Sequence, residues 1–60
     1  METTVILTGK RLEDFCQELN IDSSISKIIV RINNKRAKYY NFVDDCFYEL
    51  DLEIAKKYLN

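Results

Sequence analysis

The sequence predicts a single small α+β domain, in which two helices cover one face of a sheet of three or four strands in the order β-α-β-β-β-α. Three patterns predict this fold: helical spacing of apolar residues over residues 12–19, two alternating runs joined by Asn33 and Asn34, and an interruption of the C-terminal apolar pattern at Asp51. With 60 residues, the chain is expected to form one domain over residues 1–60, with a small core.

The N-terminal third combines a strand with an amphipathic helix. Residues 3–8 (TTVILT) are mostly β-branched or apolar and have no helical period, which predicts a strand that ends at Gly9. Apolar residues then recur with the spacing of one helical face, separated by charged and amide residues. These apolar positions are Leu12, Phe15, Cys16 and Leu19. Asn20 tolerates left-handed backbone and is the predicted end of the helix.

The middle third predicts a β-hairpin. A run of alternating residues precedes Asn33 and Asn34, and a second run follows them. One side of the first run carries Ile28, Val30 and Ile32, and the other carries Lys27, Ile29 and Arg31. Because asparagine adopts positive φ more readily than most residues, we expect Asn33 and Asn34 at the positive-φ positions of a tight turn.

The C-terminal third fits either a helix or a strand followed by a helix. In one continuous helix, Asp51 would lie near the middle of the apolar face, where an unpaired carboxylate is costly. As an N-cap, Asp51 would instead accept hydrogen bonds from backbone N–H groups. We therefore predict a strand from Cys46 to Leu50 and a helix from Leu52 to Leu59. Glu53 near the start of this helix and Lys56 and Lys57 near its end would complement the helix dipole.

The composition argues against an enzyme. The chain contains no histidine, so neither Ser/His/Asp nor Cys/His nucleophile pairs can form within it. Asp44 and Asp45 are adjacent and are expected to be hydrated turn residues rather than an acid–base pair. Lys10 follows a strand and a glycine, as in phosphate-binding turns, but without a second glycine we interpret this segment as a plain strand-to-helix turn.

The two cysteines, Cys16 and Cys46, indicate neither a disulfide scaffold nor a metal site. Their spacing is not that of paired zinc ligands, and no signal-peptide pattern opens the sequence. We therefore expect reduced thiols, no metal, no cofactor and a cytoplasmic location. No apolar run approaches the roughly 18 residues of a membrane span, so no membrane partner is expected. Frequent Ile, Lys, Asn, Asp and Tyr suggest an AT-rich genome, such as that of a low-GC bacterium or its phage.

Charge is distributed unevenly along the chain and supports two hypotheses about function. Residues 23–43 carry five basic side chains and no acidic one, so the remainder carries a net charge of −6 within a total of −1. In the first hypothesis, the chain is a protein-binding module whose acidic C-terminal half contacts a larger host protein, with tyrosines as anchors. The proposed contact residues are Asp44, Asp45, Glu49, Asp51, Tyr39, Tyr40 and Tyr48.

In the second hypothesis, the chain binds RNA or single-stranded nucleic acid through the basic hairpin. The proposed contact residues are Lys27, Arg31, Lys35, Arg36 and Lys38. A homodimer formed through exposed strand edges is compatible with both hypotheses.

Residues 25–40 (ISKIIVRINNKRAKYY) resemble the central hairpin of small phage-encoded anti-CRISPR proteins, which block RNA-guided nucleases. The shared pattern is Ile-Ile-Val-Arg-Ile-Asn-Asn at residues 28–34 followed by Tyr39. Members of that group are short, acidic α+β proteins whose carboxylates imitate DNA. The resemblance covers about a quarter of the chain and implies an inhibitory role for Asp44, Asp45 and Glu49, which favours the first hypothesis.

Overall fold

The computed structural model describes residues 2–22 and 24–59 and has the predicted α+β fold. In chain order, the elements are β1 (Thr3–Leu7), α1 (Gly9–Leu19), β2 (Ile28–Ile32), β3 (Ala37–Asn41), β4 (Cys46–Leu50) and α2 (Leu52–Lys57). The four strands form one antiparallel sheet in the order β1-β2-β3-β4, so β1 and β4 are its edges.

The core lies between the two helices and one face of the sheet. Phe15 of α1 is fully buried at its centre, with its ring 5.5 Å from that of Tyr39 and 5.3 Å from that of Tyr58, both edge to face. Such aromatic pairs add stability beyond their buried area. The other core residues are Leu7, Leu12, Cys16, Ile25, Ile28, Val30, Ile32, Ala37, Leu50 and Ala55.

Helix α1 begins earlier than its apolar pattern indicates. The apolar pattern starts at Leu12, but the helix starts at Gly9, whose φ of +60° is accessible to glycine without strain. Its end was predicted correctly, because Asn20 adopts the left-handed conformation (φ 57°) and donates its backbone N–H to Gln17 O.

The β2–β3 turn differs from the prediction in its geometry. The connection has four residues, Asn33 to Arg36, and in the described chain the positive-φ residues other than glycine are Asn20 and Asp45. The expectation of positive φ at Asn33 and Asn34 was therefore wrong. Asn33 stabilises the turn through its side chain, whose Oδ1 accepts hydrogen bonds from the backbone N–H groups of Lys35 (2.9 Å) and Arg36 (2.7 Å).

The strand from Cys46 to Leu50 and the capping role of Asp51 are confirmed. Asp51 accepts a 2.8 Å hydrogen bond from Glu53 N, which satisfies one of the free donors at the start of α2. The helix ends at Lys57 rather than Leu59, because Tyr58 leaves helical geometry and turns its ring into the core.

Asp51→Ala is expected to lower the free energy of unfolding by about 1 kcal/mol, the usual cost of removing an N-cap. Asp51→Asn, which retains an acceptor oxygen, should cost much less. Urea denaturation of the two variants beside wild type measures this difference. Equal destabilisation by both would show that the charge, rather than the cap hydrogen bond, is what matters.

Tyr58 connects α2 to α1 in a pH-dependent way. Its hydroxyl donates to Glu18 Oε1 (2.9 Å), and Lys57 Nζ lies 2.7 Å from Glu18 Oε2. Burial, followed by the hydrogen bond to Glu18, raises the pKa of Tyr58 to about 12. The hydrogen bonds from Lys57 and Tyr58 lower the pKa of Glu18. The protonated phenol and the ionised carboxylate are therefore the forms that the fold favours.

The free energy of unfolding is expected to fall between about pH 10, where an unfolded tyrosine titrates, and the folded pKa of about 12. The reason is that the unfolded chain ionises first as the pH rises. Tyr58→Phe should lessen this alkaline loss, which urea midpoints at pH values across the interval would measure. Glu18 has the opposite pH dependence. Because its pKa is lowered in the folded state, its contribution to stability is lost as the pH falls. An alkaline loss as steep in Tyr58→Phe as in wild type would contradict the role of Tyr58.

Candidate binding surfaces

The face of the sheet opposite the helices, called the open face below, carries basic and aromatic side chains in two cross-strand rows. Strand register sets one row as Thr4, Arg31, Lys38 and Glu49, and the next as Ile6, Ile29, Tyr40 and Phe47. Opposed residues in neighbouring strands lie about 5 Å apart, so each row is a continuous strip. Residues of β2 that alternate with its buried positions therefore lie beside residues of β1 and β3, and β4 extends both rows.

Three aromatic rings form a cluster on the open face. Tyr40 is central, with its ring 4.7 Å from that of Phe42 and 5.0 Å from that of Phe47. Phe42 and Phe47 remain 42% and 41% exposed, and Ile6 in the same row as Phe47 is 59% exposed. Because single exposed apolar residues are common and contiguous ones are not, this group marks a candidate contact surface.

Cations lie over the outer rings of this cluster. Lys27 Nζ is 5.1 Å from the centre of the Phe42 ring, while Lys38 Nζ and Arg31 Cζ lie 4.7 and 5.2 Å from that of Phe47. These distances are within the range of cation–π attraction. The open face therefore has an apolar centre of aromatic rings, with positively charged side chains directly over two of them.

The cations over the rings lack carboxylate partners within residues 2–22 and 24–59. The ion pairs in those segments engage Lys10, Arg36, Lys56 and Lys57. Lys27, Arg31 and Lys38 take part in none of them, and in the same segments the buried Nε of Arg31 has no hydrogen-bond partner. Their positive charge is therefore available to an anionic ligand.

The remaining predicted basic residues lie at one end of the open face. Lys35 and Arg36 belong to the β2–β3 turn, and Arg36 Nε approaches Glu49 Oε2 at 3.5 Å. Both side chains of that pair are largely exposed, so it contributes little to stability. A groove of about 370 Å³ runs from this turn to Phe47. Its lining includes Glu2, Arg31, Asn33, Arg36, Lys38, Phe47 and Glu49.

No protein family, curated protein or solved structure matches this chain.

Five of the seven residues predicted to form an acidic contact surface surround the β3–β4 turn. The Tyr48 hydroxyl donates to Asp44 Oδ2 at 2.5 Å, and the Tyr40 hydroxyl donates to Asp45 Oδ1. The rings of Tyr39 and Tyr48 stack with centres 5.5 Å apart, on the side of the sheet that also carries the core. Tyr40 is on the open face, so the five residues are divided between two faces of the sheet.

The other two acidic residues lie elsewhere. Glu49 is on the open face beside Lys38, and Asp51 caps α2 at the far end of β4. The seven residues therefore occupy three locations and share no single surface.

Ionisation of the two stacked tyrosines is disfavoured. The hydrogen bond to Asp44 is the main cause of a raised pKa for Tyr48, and burial is the main cause for Tyr39. Beside them lies a second groove of about 370 Å³, which also contains the exposed side chain of Val43 and the carboxylates of Asp22 and Asp44. This groove combines aromatic, apolar and acidic groups, as the first hypothesis requires of a contact site.

The basic residues of the first turn of α1 are engaged in internal contacts. Lys10 Nζ pairs with Asp14 Oδ1 at 2.9 Å, and Arg11 Nη2 donates to the carbonyl oxygen of Tyr58. Both residues therefore contribute contacts within the fold.

The two cysteines lie in different environments. Cys16 is buried in the core, where desolvation raises the pKa of its thiol, and Cys46 is exposed on the edge strand β4. Both are free, and the described residues contain no group of three potential metal ligands. Within the same residues, no helix has the length and apolar character needed to cross a membrane.

Sequence reasoning missed the aromatic half of the open face. Phe42 and Phe47 were not among the predicted contact residues, and neither were Ile6 and Ile29. A signal was present, because strand alternation places Phe47 on the face opposite Leu50. To use this signal, one would need the register between β3 and β4, which places Phe47 beside Tyr40.

Proposed function

We propose that this protein is a non-enzymatic cytoplasmic binding module that holds single-stranded nucleic acid on its open face. The observation that carries the proposal is the coincidence of Lys27, Arg31 and Lys38 with the exposed rings of Phe42 and Phe47 on one surface. A single strand presents what this surface complements, namely phosphates at regular intervals and unpaired bases with open π faces.

The two kinds of side chain have separate roles in the proposal. Arg31 and the two lysines contact phosphates, which gives affinity without sequence preference. Phe42 and Phe47 provide stacking platforms for bases, each worth about 1–3 kcal/mol in comparable sites. Lys38 lies over Phe47 in the free protein, and its flexible stem lets the ammonium group move to a phosphate when a base takes its place on the ring.

A net charge of −1 does not oppose this function, because the acidic residues lie mainly outside the open face. Asp14, Glu18 and Glu53 pair with lysines of the helices, and Asp51 is the cap of α2. At physiological salt, charges more than about 8 Å apart on the surface are largely screened from one another. The binding of an anionic ligand to the open face is therefore governed by the local charge of that face.

Fluorescence anisotropy with a labelled single strand of about eight nucleotides tests the proposal. Three phosphate contacts predict that affinity falls about 20-fold between about 50 and about 200 mM salt, from a slope of roughly −0.7 per contact. A duplex of the same sequence should bind more weakly, because its bases cannot stack on Phe42 and Phe47. No binding at the lower salt, or binding insensitive to salt, would contradict the proposal.

A protein partner is a second candidate function, favoured by the groove between Tyr39, Tyr48 and Asp44. In this case the chain is an inhibitor or regulator, from a phage or another mobile element, of a larger bacterial nucleic-acid-handling protein. A basic side chain of that partner would lie against the stacked tyrosines and pair with the carboxylates of Asp22 and Asp44.

Capture from nuclease-treated lysate of a low-GC bacterium tests this second function. A specific partner should be retained by wild type and by Glu13→Lys, an exposed charge reversal on α1, but lost by Asp44→Lys. Equal capture by all three proteins would count against the groove. The edge strands β1 and β4 also permit a homodimer, and sedimentation at high concentration measures whether one forms.

A further inference from the structure

We infer that the groove beside Phe47 gives the open face a preference for guanine, with Glu49 as the residue that determines it. This inference rests on the proposed binding of single-stranded nucleic acid and adds base selectivity to it. The groove is lined by the platform Phe47, the donors Arg31 and Lys38 and the acceptor Glu49.

The position of Glu49 is unusual for a surface that binds phosphates. Its row across the sheet contains Arg31 and Lys38, and a carboxylate there repels a phosphate backbone. Its only ion-pair partner within the described residues is Arg36, at 3.5 Å between two largely exposed side chains. Such a pair is weak, so the carboxylate is free to accept hydrogen bonds from a ligand.

A carboxylate selects bases by the donors that they present. Guanine offers two adjacent donors, N1–H and the N2 amino group, which can bind both oxygens of one carboxylate. Its neighbouring edge offers two adjacent acceptors, O6 and N7, which are the common targets of arginine. Of the other bases, cytosine lacks the donor pair, and adenine and thymine lack both pairs.

The free donor needed for the acceptor edge is also present. The guanidinium of Arg31 takes part in none of the ion pairs of residues 2–22 and 24–59, and its Cζ lies 5.2 Å from the centre of the Phe47 ring. Its several N–H groups allow it to contact O6 or N7 of a base at Phe47 and a phosphate at the same time. A guanine stacked at Phe47 would therefore lie between a donor on β2 and an acceptor on β4, two strands away. The groove, with a volume of about 370 Å³, has room for one base.

Anisotropy with four thymine-rich strands, each carrying one central guanine, adenine, cytosine or hypoxanthine, tests the inference. Wild type is expected to bind the guanine strand about 10-fold more tightly than the adenine strand, the lower range for one bidentate contact. Hypoxanthine, which lacks only the N2 amino group, should fall between them. Thymine serves as the flanking base because it lacks an exocyclic amine.

Glu49→Gln is expected to give a result that a merely structural role of Glu49 would not produce. It should reduce the guanine preference to about 2-fold or less, yet bind the adenine strand as tightly as wild type or more tightly, because a repelling charge is removed. Glu2→Gln, which removes a carboxylate from the same groove, is the matched control and should retain the preference.

The outcomes separate this inference from the proposed function. Equal binding of all four strands by wild type, or an unchanged guanine preference in Glu49→Gln, would overturn the role of Glu49 while single-strand binding stands. Failure to bind any strand would overturn both.

Discussion

Phe15→Ala is expected to leave a large fraction of the protein unfolded in buffer at room temperature. The ring is fully buried and is the largest side chain in the centre of the core. Truncating a buried phenylalanine costs roughly 3–5 kcal/mol, through the lost transfer energy and the cavity that remains. A core in a domain of this length supplies only about 3–5 kcal/mol of net stability, so one substitution removes most of it.

Circular dichroism during urea denaturation measures this effect. Phe42→Ala is the matched control, because it deletes the same ring from the open face, where that ring is already 42% exposed. It should cost only about 0.5–1.5 kcal/mol, the range for the loss of one aromatic pair. If the two variants were equally stable, the core would not be centred on Phe15.

The sequence predicts the parts of this fold that local physics dictates. Helix α1 follows from apolar spacing, and Asn20 and Asp51 follow from the chemistry of helix ends. The β2–β3 turn was predicted less well, because asparagine supports turns in two ways. It can adopt positive φ or accept backbone hydrogen bonds through its side chain, and Asn33 does the second.

The surfaces could be predicted only in part, because they depend on register between strands. Arg31 and Phe47 are 16 positions apart in the chain and lie on strands separated by β3, yet the guanidinium lies 5.2 Å from the ring centre. The acidic residues show the reverse. They are close in the chain from Asp44 to Asp51, but alternation and the start of α2 distribute them over different faces.

Residues 25–40, from which the sequence alone suggests a resemblance to anti-CRISPR proteins, contain β2, the β2–β3 turn and most of β3. That segment supplies Lys27, Arg31 and Lys38 to the open face, whereas the acidic positions that the resemblance implies lie after it. Because this segment carries the basic residues and not the acidic ones, changing the charge of the hairpin distinguishes the two proposed functions.

Reversing two charges on the open face is expected to weaken single-strand binding by about 100-fold or more. Arg31→Glu combined with Lys38→Glu removes two of the three proposed phosphate contacts, each worth about 1.5 kcal/mol or more as a charge-assisted hydrogen bond. The new carboxylates also repel the strand. The slope of log affinity against log salt should become shallower by about 0.7 for each lost contact.

A second double reversal, Lys10→Glu with Lys56→Glu, makes the same change in net charge on the helices. Both lysines form exposed ion pairs within their own helices, so the fold should be retained and single-strand binding should change only slightly.

Because Arg31 is half-buried, Arg31→Gln with Lys38→Gln is a second open-face variant that disturbs the fold less, and circular dichroism checks that it is folded. If both double reversals weakened binding equally, overall charge would explain it. If the open-face variants weakened binding and Asp44→Lys did not, the strand would bind on the open face rather than in the groove between Tyr39, Tyr48 and Asp44.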